Sequence, residues 1–239
     1  MRNFLAFVVL LAVAITSCGD SSGSDIEPPP DQIDWIAVTG TDPLLMIDAD
    51  SYRQTRTLVV TGPGAGDQAG TIVWVNELTT EPALRATISG DDELRNRLIA
   101  ANGGVAELVV IGNDVWLGDD SGTFTSVDSS PSANPVLGPY ATVVNSMLAV
   151  VAPAGDGVIY AGTDTVAGRD TWRFTGSDFG IALEQFDVPV TSVEAWVDVD
   201  TGVLLKARII TDSDDLTVRF DLTYETSGFD ETISISPPG

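Results

Sequence analysis

The 239-residue chain has no histidine, one cysteine and one lysine, Lys206. Without histidine, Ser-His-Asp and Cys-His nucleophilic catalysis fall away, as do His-ligated zinc, copper and iron sites. A lone cysteine makes no intrachain disulfide and no thiolate metal cluster. Basic residues are scarce: 11 Lys+Arg stand against 35 Asp+Glu, a net charge of −24 at pH 7. Such a surface repels nucleic-acid phosphates and anionic headgroups, so neither nucleic-acid binding nor electrostatic docking on a membrane is expected. Carboxylate-only chemistry survives these exclusions. No two acids pair along the sequence in a way that designates a general acid and base. The expectation is a protein that is not an enzyme, with no cofactor and no metal.

What is present starts at the N-terminus. Arg2 precedes the uncharged run Phe4 to Ile15, FLAFVVLLAVAI, and Thr16-Ser17-Cys18 follows. A positive residue, a short apolar core and small residues form the three-part pattern of a secretory signal. The run is shorter than the ~20 residues a membrane helix needs. The ending resembles the lipobox of bacterial lipoproteins, in which the cysteine thiol is acylated and the chain is cut before it. An uncleaved anchor beside an incidental thiol is the bland alternative, and it calls for a longer apolar stretch. The expected division is a signal peptide over 1–17, a flexible Gly/Ser/Pro tether over 18–34 starting at lipidated Cys18, and one domain over 35–239. Hydrophobic residues make up 44% of the chain, enough to bury a core in a domain of this length.

Periodicity within the domain is mostly that of strands. A short helix is expected over 42–53, where Leu44, Leu45 and Ile47 cluster. Strands are expected over 57–60, 71–78, 83–89, 105–111, 114–117 and 123–127, rich in β-branched residues and separated by turn residues. Gly112-Asn113 is a tight-turn dipeptide. Leu137, Tyr140, Val144, Met147, Leu148 and Val151 then recur at spacings of three and four, predicting an amphipathic helix from Pro139 to a stop at Pro153. Strands return over 157–161, 170–175, 192–198, 203–211, 216–226 and 232–236. In the late strands one side is apolar and the other polar, with Leu216, Val218, Phe220, Leu222 and Tyr224 on a covered face and the opposite face wet. A sheet of about ten strands with one apolar face curls. The expected fold is mainly β (α+β): a strongly curved antiparallel sheet, or half-open β-barrel, wrapped on a central helix.

The C-terminal half also carries a resemblance. Gly168-Arg169-Asp170-Thr171-Trp172-Arg173-Phe174, the hairpin Val193-Glu194-Ala195-Trp196-Val197-Asp198-Val199-Asp200-Thr201-Gly202-Val203-Leu204, and the end Phe220-Asp221-Leu222-Thr223-Tyr224 with Thr232 to Pro238 resemble strand and hairpin signatures of the LppX/LprG-like bacterial lipoproteins. That group is similar in fold to the LolA/LolB lipoprotein carriers. The resemblance covers about residues 157–238 well and the first half in outline. It implies a LolA/LppX-like half-open barrel holding a helix, with an apolar cavity for acyl chains, and it implies proteins that bind or shuttle lipids. No ligand residue transfers from it.

Individual sites have bland readings beside functional ones. The face of Leu137, Tyr140, Val144, Met147, Leu148 and Val151 is the candidate ligand-cavity wall, although any one of these side chains is more readily core than lining. Trp74, Trp116 and Trp196 sit in similar strand-turn contexts, at a cavity mouth or simply packed over sheet edges. Asp198-Val199-Asp200-Thr201-Gly202 begins like a calcium loop, but Ile209 stands where a bidentate Glu belongs. Asp212, Asp214 and Asp215 share the defect, and both segments read as polar turns. Gly62-Pro63-Gly64-Ala65-Gly66 lacks the Lys-Ser/Thr of a phosphate loop and reads as a hairpin loop. Residues 91–99 predict a short helix with acids first and arginines later, read as a solvated connector in preference to a flap.

The function expected from these features is a lipid-anchored lipoprotein, outside the cytoplasm, that binds or transfers lipids or acylated molecules in a cavity between sheet and helix. The alternatives are an accessory envelope lipoprotein that binds a partner protein, and a carboxylate-dependent envelope hydrolase. Cys18 gives the first test. Palmitate labelling of the wild-type chain in a lipoprotein-processing bacterium is expected to disappear in Cys18→Ala, as read by autoradiography of the purified protein.

Overall fold

Alternating β-branched and polar residues make extended chain, and the computed structural model arranges the described residues into thirteen strands and one α-helix of several turns. The structure describes residues 26–30, 33–35, 38, 47–81, 83–101, 103–127, 158–177, 182–183, 188–189, 192–211 and 217–239. The first half gives β1 (Ser51–Thr61), β2 (Gly70–Thr79), β3 (Ala83–Gly90), β4 (Glu107–Ile111), β5 (Asp114–Gly118) and β6 (Phe124–Val127), with helix α1 (Asp92–Ala101) between β3 and β4. The second half gives β7 (Ile159–Val166), β8 (Arg169–Ser177), the two-residue β9 (Ala182–Leu183) and β10 (Val188–Pro189), then β11 (Ser192–Asp198), β12 (Leu204–Thr211) and β13 (Arg219–Ser227).

Eleven of these form one sheet, in the order β6-β5-β4-β3-β2-β1-β13-β12-β11-β8-β7, while β9 and β10 pair separately. Every pairing in the sheet is antiparallel. It is therefore two meanders, with α1 inserted between β3 and β4 and with β9 and β10 between β8 and β11, fused where β1 meets β13 with Leu58 opposite Leu222 and Arg56 opposite Tyr224. The outer strands β6 and β7 do not pair with each other, so the sheet stays open. A flat sheet of this size would be about 50 Å wide at ~4.8 Å per strand, and sheets so wide curl. This one is a curved open sheet, as the one-sided apolar pattern predicts.

The turns follow local chemistry. Gly112, at φ +58°, takes the left-handed conformation in the Gly112-Asn113 turn that brings Ile111 opposite Asp114. The loop from Gly62 to Gly66 joins β1 to β2, as a hairpin loop. A side chain on Gly62 would put its Cβ 2.5 Å from the Thr217 carbonyl oxygen, so glycine lets the loop lie against the start of β13. Helix α1 forms where acids precede arginines, with Asp92 and Glu93 in its first turn. It buries Leu94 and Ile99 in the main core, so it is a packed element and not a solvated connector.

Three expectations need correction. The helix expected over 42–53 does not extend to its stated end: Ser51, Tyr52 and Arg53 begin β1, with Arg53 opposite Glu77 and Ser227. Residues 42–46 lie outside the described residues. The strand expected over 232–236 is absent, and the described chain after Ser227 has no regular structure. β13 already has β1 and β12 on its two sides, so no free ladder is left beside it.

The third correction concerns the face expected to be wet. Trp196, Val166, Val203 and Leu205 form a second buried cluster there, with Ile47 and Phe229 against it. The register between β11 and β12 makes this possible. Trp196 faces Lys206 and Val197 faces Leu204, so Leu205 is an extra bulge residue, and strict alternation through it would have misplaced the neighbouring side chains. Arg173 and Lys206 lie 5.7 and 5.2 Å from the Trp196 ring, whose Nε1 donates to Asp164 Oδ2 at 3.0 Å.

Asp198 closes this corner. Only 1% exposed, it accepts from Arg169 Nε at 2.5 Å and Nη2 at 3.2 Å. Its Oδ1 also accepts from the Asp200 and Thr201 amides and the Thr201 hydroxyl. The segment that begins like a calcium loop thus spends its first carboxylate on its own turn and an arginine. Burial pushes the Asp198 carboxyl up, but the hydrogen bonds from Arg169 and Thr201 together outweigh it and hold the group below its ordinary range. A depressed carboxylate stabilises the fold fully above its unfolded value of about 3.9, and that stability is lost as pH falls through the folded value. Asp198→Ala is expected to cost about 3 kcal/mol at pH 7, with a shallower loss of stability in acid than wild type, measured by urea unfolding between pH 7 and pH 2.5.

Candidate ligand-binding face

Period-two alternation sends the even-numbered residues of β1, β2 and β13 to the inner face. Leu58 and Val60 of β1, Ile72 and Trp74 of β2, and Leu222 and Tyr224 of β13 are buried in the main core cluster. Val218 and Phe220 pack against that cluster, so the covered face expected for this strand is correct at these positions; Leu216 lies outside the described residues. The same cluster runs across Ile88 of β3, Leu108 of β4 and Val115 of β5 on one side, and across Ile209, Val193 and Phe174 on the other. The inner face is therefore apolar across the width of the sheet. Trp35 meets Phe174 edge-on at 5.1 Å between ring centroids, and Trp172 Nε1 donates to the Glu27 carbonyl at 2.8 Å, so the chain before the domain touches the sheet here.

The apolar face is interrupted at one place. Register puts Arg56 between Trp74 on β2 and Tyr224 on β13, and it puts Gln54 between Asn76 and Thr226. These side chains share the inner face, in the middle of the sheet. Arg56 Nη2 donates to Gln54 Oε1 at 3.2 Å, Gln54 Nε2 donates to the Tyr224 hydroxyl at 3.1 Å, and the Thr226 hydroxyl donates to the same oxygen at 2.8 Å. The Arg56 guanidinium lies 5.6 Å from the Tyr224 ring centroid. Arg56 is 6% exposed and Asn76 1% exposed.

Arg56 differs from the ion-paired cations of the outer face. On the outer face Arg53 holds Glu77, Arg85 holds Glu107, Arg173 holds Glu194, Lys206 holds Glu225 and Arg208 holds Asp221. Arg56 forms no ion pair with any described carboxylate. Burial pushes its guanidinium down from the ordinary value, with Tyr224 and Tyr52 opposing, yet arginine stays charged at neutral pH. Its Nε is buried without a hydrogen-bond partner, and so are both Nδ2 and Oδ1 of Asn76. An uncompensated buried charge costs several kcal/mol and each unsatisfied buried polar group about 1–3 kcal/mol. Cation–π contact with Tyr224 returns only about 0.5–2 kcal/mol. The patch is a destabilising feature, kept at the centre of an otherwise apolar wall.

Chemically the arrangement is an apolar floor that carries one fixed positive charge and, in Asn76, one amide with no hydrogen-bond partner. No three acidic or cysteine side chains converge to hold a metal ion among the described residues. No described helix is long and apolar enough to cross a membrane.

The sequence-based site candidates fall elsewhere. Cys18 and the cavity-wall candidates Leu137, Tyr140, Val144, Met147, Leu148 and Val151 lie outside the described residues, as do Asp212, Asp214 and Asp215. Of the three tryptophans, Trp74 packs in the inner core and Trp196 in the outer cluster, while Val115 and Leu117 turn inward around Trp116 and leave it on the outer face. They do not form one site. Sequence reasoning missed Arg56 and Asn76. The available signal was the alternation Gln54, Arg56, Leu58, Val60, which places a charge on the apolar side once β1 is extended back to Ser51.

No protein-family model matches the chain, and no curated protein matches it. Among solved structures it is similar to the lipoprotein LppX of Mycobacterium tuberculosis, at a TM-score of 0.41 and 16% identity over 82% of this chain and 100% of that one. It is also similar to LprF of Mycobacterium bovis, at 0.38 and 11% over 85% and 96% of the two chains. A third is a LolA superfamily protein of Nitrosomonas europaea, at 0.29 and 14% over 80% and 90%.

A cost without a structural return has a measurable sign. Replacing an uncompensated buried charge by an apolar side chain of similar length is often neutral or stabilising, by up to about 4 kcal/mol. Arg56→Met is expected to raise the urea midpoint of delipidated protein at unchanged slope, whereas a structural arginine would lower it when replaced.

Proposed function

We propose that the protein is a membrane-anchored lipoprotein of the cell envelope that binds lipids or acylated molecules against the inner face of its sheet and passes them on. The carrying observation is that inner face, apolar from β5 to β8 on an open sheet. Burying apolar surface yields about 25 cal/mol per Å², or about 0.8 kcal/mol per methylene, so a sixteen-carbon chain gains on the order of 12 kcal/mol before the costs of association. Affinity of that size needs no invariant polar motif. The helix expected from the spacing of Leu137, Tyr140, Val144, Met147, Leu148 and Val151 would form the facing wall, with Met147 suited to chains of varied shape. Acylated Cys18 would hold the domain at the membrane while the tether lets it reach the neighbouring layer. The acidic surface fits this division, since a protein of net charge −24 gains nothing from anionic headgroups.

One observation favours the accessory reading. β7 is an edge strand that exposes Ile159 at 62% and Tyr160 at 40%, an apolar edge able to accept a strand from a partner protein. The two readings separate by native mass spectrometry of protein purified from its own host. The lipid reading expects a mass excess that organic extraction removes, and re-uptake of a fluorescent fatty acyl probe by the extracted protein. Protein that arrives empty and takes up no probe would leave the accessory reading in its place.

A further inference from the structure

We propose that Arg56 and Asn76 form an internal headgroup site that takes the carboxylate or phosphate of an acyl ligand whose chain lies on the apolar inner face. This rests on the lipid-binding reading and adds to it the charge of the ligand.

The argument starts from what the two residues lack. Arg56 Nε has no partner, and neither does Asn76 Nδ2 or Oδ1, although both residues are more than nine-tenths buried. Buried polar groups in native proteins are almost always satisfied, so adjacent exceptions on one face call for an absent partner. Gln54 sits opposite Asn76 and two residues from Arg56, which makes Arg56 and Asn76 diagonal neighbours within reach of one small group. The guanidinium supplies directional donors and a permanent positive charge, suited to carboxylate or phosphate oxygens. The Asn76 amide offers both a donor and an acceptor, whichever way it is turned, and so suits a hydroxyl beside the anion as well.

None of the described residues already plays the anion's part. Acids outnumber bases 35 to 11 over the chain, and the outward cations of neighbouring strands hold carboxylates, yet none of the described acids pairs with Arg56. The nearest groups instead hold it in place. Gln54 accepts from Nη2 at 3.2 Å, and Tyr224 presents its ring on the β13 side at 5.6 Å. Both are fixed in turn, because the Tyr224 hydroxyl accepts from Gln54 and from Thr226. A charge held this way, in a site of low dielectric, discriminates strongly between anionic and neutral ligands. A neutral glyceride would leave the guanidinium as uncompensated as it is without ligand.

The test uses the full chain carrying Cys18→Ala, so that the probes are the only acyl groups present. Binding of oleate, oleoyl-lysophosphatidate and monooleoylglycerol is measured by displacement of a fluorescent acyl probe. Wild type is expected to bind at least one of the two anions about tenfold or more tighter than the neutral glyceride. Whichever anion is tighter identifies a carboxylate or a phosphate as the natural group. Arg56→Met is expected to bring the anions down to the level of the glyceride while changing the glyceride by less than about twofold. Asn76→Leu, which keeps the charge, is expected to weaken the anions severalfold and serves if Arg56→Met does not fold. Equal binding of all three probes by wild type, or an anion preference that survives in Arg56→Met, overturns the headgroup site and leaves the lipid reading standing. Failure of all three probes to bind overturns both.

Discussion

The pairing of β1 with β13 is the constraint on which the rest of the structure depends. Each half of the chain is an antiparallel meander, and either alone would present an unpaired edge in mid-sheet. The ladder from Arg53–Ser227 to Thr61–Arg219 joins residues far apart in sequence and makes one sheet of eleven strands. Loop-closure entropy opposes so distant a contact, though only logarithmically in length. The apolar pairs Leu58–Leu222 and Val60–Phe220 on the inner side supply the return. On the outer side the junction is reinforced by Arg53, which bridges Glu77 of β2 and Glu231 after β13.

The same register fixes the chemistry of the inner face. A one-residue slip would turn Arg56 outward among the carboxylates and bring Thr55 and Thr57 inward. In the observed register Arg56 lies beside Tyr224, and Asn76 falls opposite Gln54. The interaction that closes the sheet therefore also sets an uncompensated charge at its centre. A sequence under selection for stability alone has an easy route out, since a leucine or methionine at position 56 would continue the apolar row of Leu58 and Val60. A charge at this position is what connects the geometry to the proposed binding role, because functional sites are where stability is given up.

Much of the fold was legible in the sequence, and the failures are physically specific. Strands with short turns between them, such as the pair joined by Gly112-Asn113, announce themselves because period two and turn chemistry agree. The start of β1 did not, because Arg53-Gln54-Thr55-Arg56 contains nothing apolar, and only its pairing with β2 and β13 makes it a strand. The outer cluster around Trp196 was missed because alternation assumes an unbroken ladder. A bulge at Leu205 changes the phase, and the long-range contact with Phe229 is invisible to local pattern. The polar patch needed both facts at once, the extent of β1 and the identity of its neighbours. Covered-face assignments in β13 succeeded at Val218, Phe220, Leu222 and Tyr224 because that strand alternates cleanly.

Charge distribution brings the two faces together. The outer face carries an alternating set of acids and bases on adjacent strands, each pair worth little by itself at the surface, and the large excess of acid keeps the protein soluble and repels anionic surfaces. Among the described residues the inner face holds one positive charge and no acid to meet it. In the proposed role, chain and headgroup would be joint requirements: small anions lack the apolar area to be carried onto the inner face, and neutral lipids lack the charge. The β1–β13 register is what places the charge and the apolar row of Leu58 and Val60 side by side on that face.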